Sequence, residues 1–114
     1  MEKVLHVQAG DWERIETSTK PVFLDFWADW CGPCRMLAPT FERLAERFGA
    51  QYTFAKINVD DLPEVANKFA VRSIPTLLLL RSGNEVERLV GLRSEQELAQ
   101  VLSRHANGTG GVRV

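Results

Sequence analysis

The two cysteines of the chain, Cys31 and Cys34, are separated only by Gly32 and Pro33. They fall where a run of buried-strand residues gives way to an amphipathic helical pattern, and a helix that begins at Pro33 places Cys31 at its N-terminal end. Unpaired backbone N–H groups and the positive end of the helix dipole meet there. A thiol in that position ionises more readily than a free one, and the thiolate is the form that attacks. The spacing therefore predicts thiol–disulfide chemistry.

A purely structural role explains this cysteine pair less well. On the loop-entropy account, a disulfide that closes so short a loop stabilises the folded chain by only roughly 2 kcal/mol. Two cysteines are also too few for the disulfide framework of a small secreted domain. We therefore interpret Cys31 and Cys34 as a redox pair.

A carboxylate interrupts the apolar run that precedes the cysteines. Asp25 lies in the middle of residues 22–28, which are almost continuously apolar, as is typical of a central strand covered on both faces. A buried carboxylate is costly unless it is paired or neutral, and burial raises its proton affinity. Because the cysteine pair follows directly, we interpret Asp25 as a functional residue. The alternative is a buried aspartate that is satisfied by hydrogen bonds.

Lys56 interrupts a second apolar run, residues 52–59, in a similar way. If the two strands are neighbours in a sheet, Lys56 and Asp25 approach one another. The alternative is that the Lys56 side chain extends into solvent at a strand end.

The bulk composition limits the class of protein. The chain has 114 residues, 45% of them hydrophobic, and a formal net charge of −1, which indicates one domain with a substantial core. Its charges are interspersed, so nothing supports binding to nucleic acid or to an anionic membrane. No segment approaches the apolar length of a transmembrane helix, and residues 1–6 lack the apolar stretch of a signal peptide. A cytoplasmic location and a monomeric state are the default expectations.

Hydrophobic periodicity predicts elements in the order β-α-β-α-β-α-β-β-α, an α/β fold with a mixed sheet and helices on both faces. Strands are predicted over residues 3–8, 22–28, 52–59, 76–80 and 85–90. Asp11 is predicted to cap a helix to residue 17, Asp60 or Asp61 to cap one that begins near Pro63, and Ser94 to start a capping box. A domain of residues 1–106 is expected to end in a flexible Gly-rich tail, residues 107–114.

Several stretches together resemble the thioredoxin family. They are VFLDFWADWCGPC at residues 22–34, KINVD at 56–60, VRSIPT at 71–76, SG at 82–83 and VG at 90–91. The resemblance extends over residues 3 to 105. Arg35 stands where many relatives carry lysine, so the positive charge after the second cysteine is kept.

The resemblance implies a thioredoxin fold, which is a central five-stranded mixed sheet flanked by four helices. It also implies a cis bond before Pro75, although the base rate for such bonds favours trans, and it places Pro75 opposite the cysteines across a shallow groove. An apolar rim that binds an extended client segment is implied at Trp30, Gly32, Pro33, Ile74, Val90 and Gly91. Exposed apolar patches tend to mark binding sites.

A protein-disulfide reductase is the implied activity. Cys31, taken as exposed, is the expected nucleophile that forms a mixed disulfide with the substrate. Cys34, taken as buried one helical turn deeper, is the expected resolving thiol, with Asp25 as the base that accepts its proton. Lys56 is expected to moderate the rise in the pKa of Asp25.

The two residues between the cysteines indicate the direction of electron flow. Pro33 prearranges the first helical turn, and Gly32 lets the backbone approach the sulfurs. Neither adds a positive charge, as a histidine would, so the pair favours a reductant. The resemblance implies electrons from NADPH through thioredoxin reductase, disulfide-containing client proteins, a role in cell redox homeostasis and no tightly bound cofactor.

Two alternatives belong to other classes. A structural zinc ion needs four ligands, and the chain offers two cysteines and two distant histidines, His6 and His105. The second alternative is a binding module whose thiols are incidental, because a fold does not dictate a function. Catalysed reduction of insulin disulfides distinguishes an oxidoreductase from such a module.

Overall fold

The centre of the fold is one five-stranded mixed sheet. The computed structural model describes residues 3–108, and its strands are β1 (Val4–His6), β2 (Val22–Trp27), β3 (Thr53–Asn58), β4 (Thr76–Arg81) and β5 (Asn84–Val90). They lie in the order β1-β3-β2-β4-β5. β1, β3 and β2 are parallel to one another, whereas β4 is antiparallel to β2 and β5 is antiparallel to β4. The predicted sheet is therefore confirmed.

Helices cover both faces of this sheet. They are α1 (Trp12–Glu16), which a short 3-10 turn (Ala9–Asp11) precedes, α2 (Gly32–Phe48), α3 (Pro63–Lys68) and α4 (Glu95–Gly108). Along β2, Phe23 packs in a cluster with residues of α2 and α4, and Leu24 packs in a second cluster with residues of α1 and α3. This alternation is what a strand covered on both faces requires. No helix in the described part of the chain has the length and apolar character needed to cross a membrane.

The start of α1 and the end of α4 differ from the sequence-based expectation. The Asp11 carboxylate does not cap α1. It accepts the backbone N–H of Gln8 at 2.9 Å, because the helical segment already begins at Ala9. At the other end of the chain, α4 runs to Gly108, so residues 107 and 108 of the expected tail lie in a helix. Residues 109–114 of that tail lie outside the described residues.

Strand direction brings four segments to one edge of the sheet. β2 and β3 are parallel, so the residues that follow Trp27 and those that follow Asn58 emerge side by side. β4 begins at that edge, since Thr76 pairs with Phe26 of β2. β5 ends there, since Val90 pairs with Thr76. The cysteines, the Ile74–Pro75 bond and the Val90–Gly91 pair are thus gathered from distant parts of the sequence.

Candidate active site

The two cysteines form a disulfide at the N-terminal end of α2. Cys31 is the N-cap residue of this helix, which begins at Gly32, one residue before the expected start at Pro33. The Cα atoms of Cys31 and Cys34 lie 5.2 Å apart, and the backbone N–H of Cys34 donates to Cys31 Sγ at 3.2 Å. A donor in that position stabilises negative charge on the Cys31 sulfur once the disulfide is opened.

Solvent exposure separates the two cysteines less than expected. In the disulfide form, 5% of Cys31 and 2% of Cys34 is exposed, so the expectation of an exposed Cys31 is wrong for this form. Both pack with Ala28 in a small apolar cluster just beyond β2. Cys31 Sγ accepts the helix N–H and lies 3.8 Å from the carbonyl oxygen of Ile74. The helix N–H and the Ile74 carbonyl beside it, rather than a large exposed surface, distinguish this sulfur.

Asp25 is fully buried in the middle of β2. Neither of its carboxylate oxygens has a hydrogen-bond partner among the described residues, so those residues do not supply the hydrogen bonds that the alternative requires. Burial raises the pKa of Asp25 from an ordinary 3.8 to about 7, and the charge of Lys56 opposes part of that rise. Such a carboxyl group exchanges a proton near neutral pH, which is what a catalytic base requires.

Lys56 is the register partner of Asp25 on the neighbouring strand β3. Only 8% of Lys56 is exposed, and its Nζ lies 4.5 Å from the ring centroid of Trp27. A cation over an indole face is held by the ring quadrupole. The alternative in which Lys56 extends into solvent is therefore wrong.

The loop before β4 lies against the sulfur of Cys31. The Ile74–Pro75 bond is cis, which confirms what the family resemblance implies and overturns the base-rate expectation. The Pro75 carbonyl accepts the backbone N–H of Gly91 at 2.8 Å, and the Thr76 hydroxyl donates to the Ser73 carbonyl at 2.7 Å. The structure thus brings Ile74, Pro75 and Gly91 together beside the cysteines.

The residues of the expected apolar rim differ in how far they are exposed. Trp30 is 68% exposed and Val90 is 46% exposed, whereas Pro75 is buried. Gly32, Ile74 and Gly91 are half-buried and Pro33 is exposed. A cavity of about 360 Å³ lies beside Trp30 and Ile74, and it is lined by Trp30, Val59, Ala66, Val71, Arg72, Ser73 and Ile74.

Asp60 is a site residue that the sequence reasoning assigned differently. Its Oδ2 accepts the indole N–H of the exposed Trp30 at 2.9 Å, and its own backbone N–H donates to Asn58 Oδ1 at 2.9 Å. α3 has Leu62 at its N-cap, so the expected capping role is wrong for Asp60 and for Asp61. The signal that could have predicted this contact is that β2 and β3 are parallel neighbours and end side by side. That signal can be used only when the order of the strands in the sheet is known.

The zinc alternative requires the two cysteines and the two histidines to come together as ligands. Within residues 3–108 the structure gathers no group of three or more His, Cys, Asp or Glu side chains that is suited to hold a metal ion. His105 contacts Glu87 instead, with Nε2 and Oε1 2.8 Å apart. The zinc alternative therefore has no ligand set in the described part of the chain.

Thiol–disulfide exchange needs a sulfur whose charge is stabilised and a second sulfur within reach of the first. Both are present at one helix end, on a mixed sheet with a cis-proline loop opposite, and this combination defines a thiol–disulfide oxidoreductase. The family model of thioredoxin matches residues 3–104. The chain belongs to the thioredoxin family.

Individual relatives agree with this assignment. A thioredoxin of Haemophilus influenzae is 42% identical over 106 residues, covering 92% of this chain and 99% of that protein. The solved structure of a mutant thioredoxin from Halobacterium salinarum superposes with a TM-score of 0.82 at 38% identity and covers 90% of each chain. A bifunctional thioredoxin reductase/thioredoxin of Mycobacterium leprae is 48% identical over 89 residues, which are 78% of this chain and 19% of that protein.

The Asp60–Trp30 hydrogen bond gives a first prediction. Asp60→Ala frees the exposed indole of Trp30, and we expect the KM for a protein disulfide to rise about threefold, because the rim must then be ordered on binding. Insulin reduction measures this KM. Asp61→Ala is the matched control, since Asp61 is exposed and adjacent. Equal KM values for the two variants would contradict the role of Asp60.

Proposed function

We propose that this protein is a protein-disulfide reductase that works by dithiol–disulfide exchange. The observation that carries the proposal is the hydrogen bond from the Cys34 N–H to Cys31 Sγ at the N-terminal end of α2. It gives Cys31 the surroundings of a nucleophile and a leaving group. Cys34 lies on the helix itself and is the more deeply buried of the two.

The first step uses Cys31. Its thiolate attacks one sulfur of a client disulfide, the client S–S bond breaks, and the other client sulfur leaves as a thiolate that takes up a proton. A mixed disulfide between Cys31 and the client remains. The Cys34 N–H and the helix dipole stabilise the thiolate before the attack, and the rim at Trp30, Ile74 and Val90 holds the client segment.

The second step uses Cys34 and Asp25. The Cys34 thiol passes its proton to the Asp25 carboxylate, directly or through a water, and its sulfur attacks Cys31 Sγ. The mixed disulfide breaks, the second client thiolate leaves, and the Cys31–Cys34 disulfide forms. The client gains two electrons and the cysteine pair loses them. A pKa of Asp25 of about 7 supports this role, because both protonation states are then populated near neutral pH.

Re-reduction completes the cycle. Gly32 and Pro33 bring no positive charge near the sulfurs, which favours a reducing pair. We propose that the electrons come from NADPH through a thioredoxin reductase, and the fusion of the two activities in the Mycobacterium leprae protein supports this partner. The wider role that we propose is to reduce disulfide-containing client proteins, to donate electrons to reductive enzymes and to maintain redox homeostasis in the cell. For this role we propose a monomeric protein in the cytoplasm that binds neither nucleic acid nor membranes.

The insulin assay tests this proposal. With dithiothreitol as reductant, we expect the protein to accelerate insulin precipitation, and we expect Cys31→Ser to remove the acceleration. NADPH consumption with added thioredoxin reductase then tests the electron source separately. A wild-type protein that leaves the dithiothreitol rate unchanged would favour the binding-module alternative.

A further inference from the structure

The segment between α3 and β4, residues 69–75, forms one side of the cavity beside the cysteines. Val71, Arg72, Ser73 and Ile74 line the 360 Å³ cavity opposite Trp30. The backbone of this segment is irregular, with a positive φ of 53° at Ala70, and residues 70–74 are half-buried or exposed. Val71 and Ile74 pack against the core cluster that contains Ala66, and the Val71 N–H donates to the Ala66 carbonyl at 2.9 Å. Arg72 and Ser73 are exposed, so their position depends on the backbone hydrogen bonds around them.

The C-terminal end of this segment is held at two points near the active site. The Thr76 hydroxyl donates to the Ser73 carbonyl, and the Gly91 N–H donates to the Pro75 carbonyl. The N-terminal end begins at Phe69, the residue that ends α3. Its ring packs edge-on against Trp12, with centroids 5.7 Å apart, which leaves the backbone carbonyl to be satisfied separately.

Arg88 of β5 satisfies that carbonyl. Its Nη2 donates to the Phe69 carbonyl oxygen at 2.6 Å, and its Nε and Nη2 donate to the two carboxylate oxygens of Glu85 at 2.7 and 2.8 Å. The same guanidinium lowers the pKa of Glu85, so Glu85 stays ionised and orients the arginine. A cation at the carbonyl end of a helix is also favoured by the helix dipole.

We infer that Arg88 is a positioning residue for client binding, acting through the 69–75 segment rather than on the sulfurs. Arg88 lies two residues before Val90 on β5, so it connects the strand that ends in the Val90–Gly91 rim to the segment that carries Ile74. The wall of the groove that carries Val71 to Ile74 is then held against β5. The inference rests on the proposed function, because it assumes a client segment bound in that groove.

The expected consequence is a preformed groove. A client loses less conformational entropy on binding when the surface it meets is already ordered. A small disulfide needs only the reacting sulfur, and Arg88 contributes nothing to that step. Removing the hydrogen bond between Arg88 and the Phe69 carbonyl should therefore weaken the reaction with protein disulfides and leave the reaction with small disulfides unchanged.

The experiment compares Arg88→Met with Arg43→Met. Arg43 also forms an arginine–glutamate pair, with Glu95 at 2.8 Å, but it joins α2 to α4 away from the groove. For Arg88→Met we expect the KM for insulin to rise about fivefold with kcat within about twofold. We expect an unchanged rate with a small aromatic disulfide. Arg43→Met should leave all three quantities at the wild-type values.

Two results would overturn the inference. One is an insulin KM that is the same in Arg88→Met and Arg43→Met; the other is a parallel fall in the rates with insulin and with the small disulfide, which would indicate a disturbed sulfur site. If Arg88→Met does not fold, Arg88→Lys and Glu85→Gln decide the matter, with an expected rise in KM of about twofold each and an unchanged KM as the contrary result. A wild-type protein inactive on both substrates would refute the proposed function instead.

Discussion

Cys34→Ser is expected to stop turnover and to leave the client protein covalently attached through Cys31. The first exchange step is intact in this variant, because the Cys34 backbone N–H that donates to Cys31 Sγ is retained. The second step has no sulfur to carry it out. We expect insulin reduction to fall by roughly a hundredfold or more. The adduct is detected by non-reducing electrophoresis and by mass spectrometry, and dithiothreitol should release it.

The matched variant for this experiment is Cys31→Ser. It keeps one cysteine, but that cysteine is Cys34, which lies inside α2, beyond the N-cap position where Cys31 Sγ accepts a helix N–H. We expect it to form no adduct under the same conditions. Adducts that form equally in the two variants would show that the assignment of nucleophile and resolving thiol is wrong.

Asp25→Ala is expected to stabilise the oxidised protein in a pH-dependent way. The folded-state pKa of Asp25 is about 7, above its ordinary 3.8, so between these values the native state binds the proton that the unfolded chain has lost. The free energy of unfolding of the wild type therefore falls as pH rises through this window. The advantage of the variant should grow by about 4 kcal/mol from about pH 4 to about pH 8.

Urea unfolding of the two oxidised proteins at a series of pH values measures this difference. Titrating groups far from Asp25 act equally on both proteins and cancel in the comparison. Asp25→Asn is the control for shape, and it should show the same pH dependence relative to the wild type, because it also lacks the titrating group. A constant difference across the pH range would mean that Asp25 keeps an ordinary pKa.

The same substitution should slow the resolution of the mixed disulfide. In the wild type we expect the rate to rise with pH through about 7, as Asp25 becomes the carboxylate that accepts the Cys34 proton. Asp25→Ala should lose this transition and be slower by roughly tenfold or more near neutral pH. Stopped-flow rates in Asp25→Ala that are identical to those of the wild type would remove Asp25 from the mechanism.

Lys56→Met should move the pH transition of the wild type to higher pH, since the Lys56 charge lowers the pKa of Asp25.

Much of the site could be predicted because its residues are close in the sequence. The Cys31–Cys34 spacing, the helix start at Gly32–Pro33 and the apolar strand around Asp25 all lie within residues 22–34. Their arrangement follows from strand and helix periodicity and from the geometry of a helix end. The order of elements followed in the same way, since each predicted strand and helix has its own apolar pattern.

Contacts that depend on strand order were beyond the reach of the same reasoning. Lys56 was equally compatible with solvent and with Asp25 until β3 was placed beside β2 in register. Asp60 has the sequence context of a helix cap, and only the shared edge of two parallel strands brings it to Trp30. Arg88 looks like an ordinary charge on an edge strand, yet it satisfies a carbonyl 19 positions away in the sequence.

By itself, the sequence determined the spacing of Cys31 and Cys34 and the place of Asp25 on its strand, because both follow from local patterns within one strand and one helix. The tertiary structure alone decided how those side chains are tuned and what faces them. Burial without a hydrogen bond, the neighbouring lysine and the loop opposite Cys31 each arise from segments far apart in the chain. Their proximity depends on the packing of the whole sheet, and local patterns carry no record of it.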